Sequence, residues 1–150
     1  MRSNRLKIAV ILVTAIFFVS DRFLKQLVMK LSDQPFELLG NWLQFNFAAN
    51  KNISFSLPLS GVWLKILIAV IIMGLIIYMI REIKNKNGNW PLLLAIISGA
   101  SSNLYDRFKY DYVIDYLDMK YFTVFNLADA MIVVSIGFLL FCLLRVDKNK

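Results

Sequence analysis

The chain has 150 residues and a formal net charge of +7, and 59% of its residues are hydrophobic, well above the roughly 45–50% apolar share of soluble domains. A membrane-spanning helix takes about 20 apolar residues, so four spans would use roughly 80 and leave no room for a large water-soluble domain. The sequence has no histidine and a single cysteine, Cys142, which excludes Ser-His-Asp and Cys-His nucleophiles, histidine-ligated zinc or haem, and an internal disulfide. Acid–base chemistry is left to carboxylates, lysine or tyrosine.

The apolar pattern predicts an all-α membrane protein. It would be a single integral-membrane domain over 1–150, with spans at about 6–28, 62–80, 90–105 and 126–144. The first apolar run, Ile8 to Ser20, follows Arg2, Arg5 and Lys7 and resembles the start of a secretory signal. No small-x-small cleavage site follows; Asp21, Arg22 and Lys25 follow instead, so an uncleaved span is expected. Between the first two spans, Leu43, Phe45 and Phe47 alternate with Gln44 and Asn46, preceded by Gly40-Asn41. That pattern predicts a small extracytoplasmic β-hairpin closed by a two-residue turn. A weaker hairpin signal surrounds Asp118-Met119-Lys120, where Asp118, like Asp111, reads as a solvated turn residue. Cys142, in the apolar run of the last span, reads as a small lipid-facing or packing residue.

Basic residues cluster at the N-terminus, at Arg81, Lys84 and Lys86, and at Arg145, Lys148 and Lys150. With four spans these share one side, so both termini are expected in the cytoplasm. The positive charge thus reports topology and implies no nucleic-acid partner. Trp63 and Trp90 fall at span ends, where interfacial aromatics sit.

Ionisable residues at or inside a span cost a few kcal/mol each on insertion scales, so each calls for a partner or a task. The polar and ionisable residues collect at the outer ends as Asp21, Asn50, Asn103, Asp106, Arg107, Asp115, Asn126 and Asp129. Asp106 and Arg107 can be read as an interfacial pair, and Asn126 as the N-cap of the last helix with Asp129 completing a capping box. Asp115 has little local reason to stand in the apolar run Tyr112–Leu117. Two aspartates in a partly dry site share one proton, so one can take a proton from water while the other donates to a carbonyl.

The order and placement of these motifs resemble the lipoprotein signal peptidases (signal peptidase II) over essentially the whole chain. Asp21-Arg22-Phe23-Leu24-Lys25 is similar to that family's Asp and Lys at the first span's outer end, and 50–56 to its Asn-x-Gly-Ala-Ala-Phe-Ser segment. Residues 98–107, Val113-Ile114-Asp115-Tyr116 and Phe125-Asn126-Leu127-Ala128-Asp129 are similar to its later motifs. The resemblance implies a bacterial cytoplasmic-membrane aspartyl endopeptidase, monomeric among membrane lipids and needing neither metal nor cofactor. It implies cleavage before the diacylglyceryl-modified cysteine of prolipoproteins near the outer face. Asp115 and Asp129 would be catalytic, and Asn50, Asn103, Arg107, Asn126 and Asp21 would bind substrate or support the site. Asn52, Ile53 and Ser54 depart from that family's Gly-Ala-Ala, which bears on substrate and inhibitor preference. A competing class is a small proton- or cation-conducting protein using the same aspartates as a relay.

Overall fold

The computed structural model describes residues 2–31, 35–51, 61–86 and 88–147. Among them are four helices, α1 (Arg2–Val28), α2 (Val62–Lys84), α3 (Trp90–Tyr110) and α4 (Leu127–Asp147), and three strands, β1 (Phe36–Glu37), β2 (Leu43–Asn50) and β3 (Val113–Met119). The departure at Asn52, Ile53 and Ser54 lies outside the described residues.

The helices follow the apolar runs, beginning a few residues before the expected start of the first and extending a few residues beyond the expected ends of the second, third and fourth. Two of them, α2 and the stretch Leu127–Arg145 of α4, are long and apolar enough to cross a membrane by length and composition. The helices alternate in direction. Lys65, at the start of α2, pairs with Asp111 at the end of α3; the backbone N–H of Ala128, at the start of α4, donates to Asp21 near the end of α1. One end of the bundle therefore gathers the C-terminal ends of α1 and α3 and the N-terminal ends of α2 and α4.

Helix α3 packs against the other three helices, whereas α2 packs against α3 alone among the described elements. The α3–α4 contact is close because Gly99 lacks a side chain: a Cβ there would stand 2.7 Å from the Ala128 carbonyl oxygen and 2.8 Å from Ile132. This approach brings the next turn of α3, with Ser102 and Asn103, against the first turn of α4.

The strands form one antiparallel sheet in the order β1-β2-β3. The expected first hairpin is present, with the Trp42 N–H donating to the Leu39 carbonyl at 3.1 Å around Gly40-Asn41, and Gly40 at φ 50°. The second hairpin is replaced by a longer-range pairing. Strand β3 binds β2, and the following chain returns to it only at the single bridge Leu117–Phe125. Asp118 accordingly lies half-buried in a strand opposite Gln44, not in a turn. A long apolar run finds more hydrogen-bonding partners along β2 than a short return segment offers.

Sheet and helices share a small core of Val28, Phe45, Ile114 and Tyr116, with the Phe45 and Tyr116 rings 5.5 Å apart. Alternation then places Val113 and Asp115 on the opposite face of β3 from Ile114 and Tyr116. All four are buried.

Candidate active site

Asp115 is delivered by β3 and is 1% exposed. Its partner from β2 depends on an irregularity of pairing. Phe45 lies opposite Leu117 but Ala48 opposite Asp115, so β2 carries one extra residue between them. A one-residue slip exchanges the two faces of a strand, and this bulge turns Asn50 to the face of Asp115. The Asn50 amide donates to Asp115 Oδ2 at 2.9 Å.

Asp129 arrives on the first turn of α4, and its position follows from the cap. The Asn126 side-chain oxygen accepts the Asp129 N–H at 2.9 Å, while the Asn126 N–H donates to Asp129 Oδ2 at 3.2 Å. This is the reciprocal box expected from the spacing. The same Asn126 also reaches outward, its Nδ2 donating to Asp115 Oδ1 at 2.6 Å and to the Ile114 carbonyl at 3.4 Å. One residue thus holds both carboxylates, which are close enough for the charge of Asp129 to act on Asp115.

Asn103, from α3, closes the group. Its Nδ2 donates to Asp129 Oδ1 at 2.8 Å, and its oxygen accepts from Lys25 at 2.8 Å and from Asn126 at 3.2 Å. Arg107, one turn further along α3, is buried and feels the charges of Asp115, Asp129 and Asp106.

Behind these groups lies a buried ionic layer. The Lys25 ammonium, fully enclosed, spends its three protons on Asp21 (3.1 Å), Asp106 (2.8 Å) and Asn103. Asp21 also accepts from Ser102 (2.6 Å), Tyr116 (3.0 Å) and the Ala128 N–H (3.2 Å), tying α1, α3, β3 and α4 together. Asp106 takes its second cation from Arg22 at 2.6 Å, so the charges that answer it come from α1. The expectation of an interfacial Asp106–Arg107 pair is corrected accordingly: neighbours in sequence point in different directions around a helix, and α1 supplies the nearer cations.

All seven residues singled out from the sequence thus belong to one end of the bundle. Lys25, Ser102 and Tyr116 were not among them, although each takes part in the hydrogen-bonded network. Lys25 stands in the quoted Asp21–Lys25 motif, and its spacing from Asp21 of one helical turn was the available signal; Ser102 and Tyr116 offered none.

Burial drives the Asp115 carboxyl up to about 6, helped by the nearby charge of Asp129; the donations from Asn50 and Asn126 hold it from going further. Burial likewise pushes the Tyr116 phenol up, so it stays a hydrogen-bond donor. The site therefore offers a carboxyl that keeps its proton to unusually high pH beside a second carboxylate, the pairing that hydrolysis without histidine or metal requires. Among the described residues, no group of three or more His, Cys, Asp or Glu side chains stands ready to hold a metal ion.

Residues 13–145 match the protein-family model described as Signal peptidase (SPase) II. A lipoprotein signal peptidase from Clostridium acetobutylicum is 36% identical, with 93% of this chain and 96% of that protein aligned. Another from Clostridium novyi is 31% identical, with 92% and 99% aligned. The fold is similar to that of a bacterial membrane enzyme solved by the in meso method at 2.3 Å resolution, with a TM-score of 0.80 at 21% identity over 95% of this chain and 91% of that one.

Proposed function

Because the chain belongs to the signal peptidase II family, and so is a protease that removes the signal peptide from prolipoproteins, we propose that Asp115 and Asp129 are its catalytic pair. The observation that carries this is the double grip of Asn126, whose side chain binds Asp115 at 2.6 Å while its backbone N–H binds Asp129 at 3.2 Å. No other two carboxylates among the described residues are held by one residue while left without a cation in an ion pair; Asp21 and Asp106 are neutralised by Lys25 and Arg22.

The reaction follows from the proton inventory. Asp115 holds the shared proton, and Asp129 takes one from water as its oxygen attacks the carbonyl carbon. Asp115 gives its proton to the carbonyl oxygen, leaving a gem-diol. Asp129 then protonates the departing amine, Asp115 recovers a proton from one hydroxyl, and the C–N bond breaks. The cleaved bond precedes the diacylglyceryl-modified cysteine, whose lipid holds the peptide at the bilayer interface. Asn50, Asn103 and Asn126 fix the orientation of the carboxylates, the Arg107 cation balances developing negative charge, and Asp21 secures the layer beneath.

For this to work the polar end of the bundle must face the outer leaflet. Four spans, with both termini in the cytoplasm, fit the alternating helix directions and the placement of Arg81, Lys84 and Arg145 at the opposite end. The test is cleavage of a diacylglyceryl-modified precursor peptide by the purified protein and by its Asp115→Asn and Asp129→Asn variants. Activity in the parent and its loss in both variants is the expected result; near-parental rates in both would overturn the assignment.

A further inference from the structure

Away from the candidate site, the far end of the sheet carries a cluster of large side chains that the reaction does not use. The β1–β2 turn supplies Leu39 and Trp42, and the connection from β3 to α4 supplies Lys120, Tyr121 and Phe122. The two segments are joined: the Lys120 N–H donates to the Trp42 carbonyl at 3.0 Å, and the Trp42 and Tyr121 rings meet edge to face at 6.1 Å. The Lys120 ammonium lies 5.9 Å from the Trp42 ring and 5.1 Å from the Tyr121 ring. Despite these contacts Trp42 is 65% and Tyr121 85% exposed, and Leu39 and Phe122 are equally open.

We infer that this tip is a membrane-contact surface that inserts into the lipid interface of the outer leaflet. Its chemistry matches that zone. Leu39 and Phe122 are purely apolar and belong with acyl chains, whereas Trp42 and Tyr121 each join an apolar ring to a hydrogen-bonding edge suited to the headgroup boundary. Lys120 holds its ammonium over the two rings, a cation for the headgroup phosphates at the same level. The backbone presents the cluster at a cost. Tyr121 has φ 70°, a conformation that a bulky residue seldom adopts, and its ring is turned out rather than folded onto the sheet. Met119 lies four residue steps beyond Asp115 on β3, so the tip stands about 13 Å along the strand from Asp115. The middle of the sheet is fixed to α1 through Phe45 and Tyr116, which pack with Val28. An anchored tip would thus hold Asp115 at a set depth relative to a lipid-bearing substrate. Membrane contact does not depend on which carboxylates react; the consequence for Asp115 rests on its assignment above.

The experiment places Trp42 by fluorescence. Trp63 and Trp90 are changed to Phe in the full chain, which is reconstituted in phosphatidylcholine vesicles brominated either near the headgroup or near the chain end. The expected result is stronger quenching by the shallow bromines than by the deep ones, with protection from aqueous iodide. Iodide quenching without a bromine effect, or deeper bromines quenching more, overturns the inference. A second variant, Trp42→Ser with Tyr121→Ser and Phe122→Ser, is assayed for peptide cleavage in micelles and in vesicles. Unchanged turnover in micelles with a several-fold loss in vesicles supports the anchor. Equal loss in both media, or loss in neither, contradicts it. If the parent cleaves nothing, the function above fails while the fluorescence result still decides membrane contact.

Discussion

The Lys25 ammonium donates to the side-chain oxygen of Asn103 at 2.8 Å, and this contact decides which half of the Asn103 amide meets Asp129. An ammonium has no acceptor, so the oxygen must face Lys25 and the NH2 group must face the carboxylate. A fully enclosed residue on α1 thereby sets the polarity of a contact between α3 and α4.

Asn103→Asp tests that polarity. The variant keeps the oxygen for Lys25 but turns a second carboxylate oxygen toward Asp129 in place of a donor. We expect kcat to fall by about two orders of magnitude, the usual scale for losing one oriented donor, with KM within about twofold. Steady-state kinetics on a lipidated peptide separate the two; a rise in KM alone would assign Asn103 to substrate binding instead.

Asp129→Asn retains the cap, because an amide oxygen still accepts the Asn126 N–H, but it cannot take a proton from water. Its NH2 group then faces the Asn103 NH2 in place of an acceptor, so folded yield should fall modestly while cleavage falls to background. Asp106→Asn weakens a buried group shared by Arg22 and Lys25. Disrupting such a cluster costs on the order of 3 kcal/mol, so yield should drop more than the turnover of what folds. A stable, inactive Asp106→Asn beside active Asp129→Asn protein would mean that the wrong aspartate has been assigned.

The raised Asp115 carboxyl sets the pH dependence. Its ordinary value of 3.8 becomes about 6 in the folded chain, so the folded state binds the proton more tightly than the unfolded one. Its favourable contribution is present below 3.8 and is lost as pH rises to about 6 and beyond. The thermal midpoint of the parent should decline across that window, and Asp115→Asn should lack this part of the slope. In kinetics, kcat/KM reports the free enzyme and should fall on the alkaline side with a midpoint near 6; a flat profile through neutral pH would remove Asp115 as the proton holder.

Gly99→Val probes how the α3–α4 approach positions the carboxylates. Even a Cβ would meet the Ala128 carbonyl at 2.7 Å, so the helices must separate. Overpacking of this kind costs about 1–3 kcal/mol, measurable as a lower thermal midpoint. Displacing Asn103 from Asp129 should lower kcat in addition. A variant that unfolds earlier but turns over normally would show that the approach serves packing alone.

Reporter fusions after Asn50 and after Gly88 test the orientation. They should fall on opposite sides of the membrane, and a common side for both would contradict the four-span arrangement.

Sequence alone was sufficient for whatever depends on local order. Apolar runs marked the four helices, because a helix satisfies its own backbone groups within one segment. Gly40-Asn41 marked the first turn, and the three-residue spacing of Asn126 and Asp129 marked the cap, because both close within a few residues. The gathering of polar residues near the ends of apolar runs marked Asp115 and Asp129 as candidates, since a carboxylate in such a run needs a reason. Tertiary structure decided what depends on partners far along the chain. Asp106 meets Arg22 and Lys25 instead of leaning on its neighbour Arg107, because side chains one residue apart on a helix diverge by about 100°. Asn50 meets Asp115 only through a bulge in a pairing between strands more than sixty residues apart. A single inserted residue exchanges the two faces of β2, and neither composition nor periodicity records where that insertion falls.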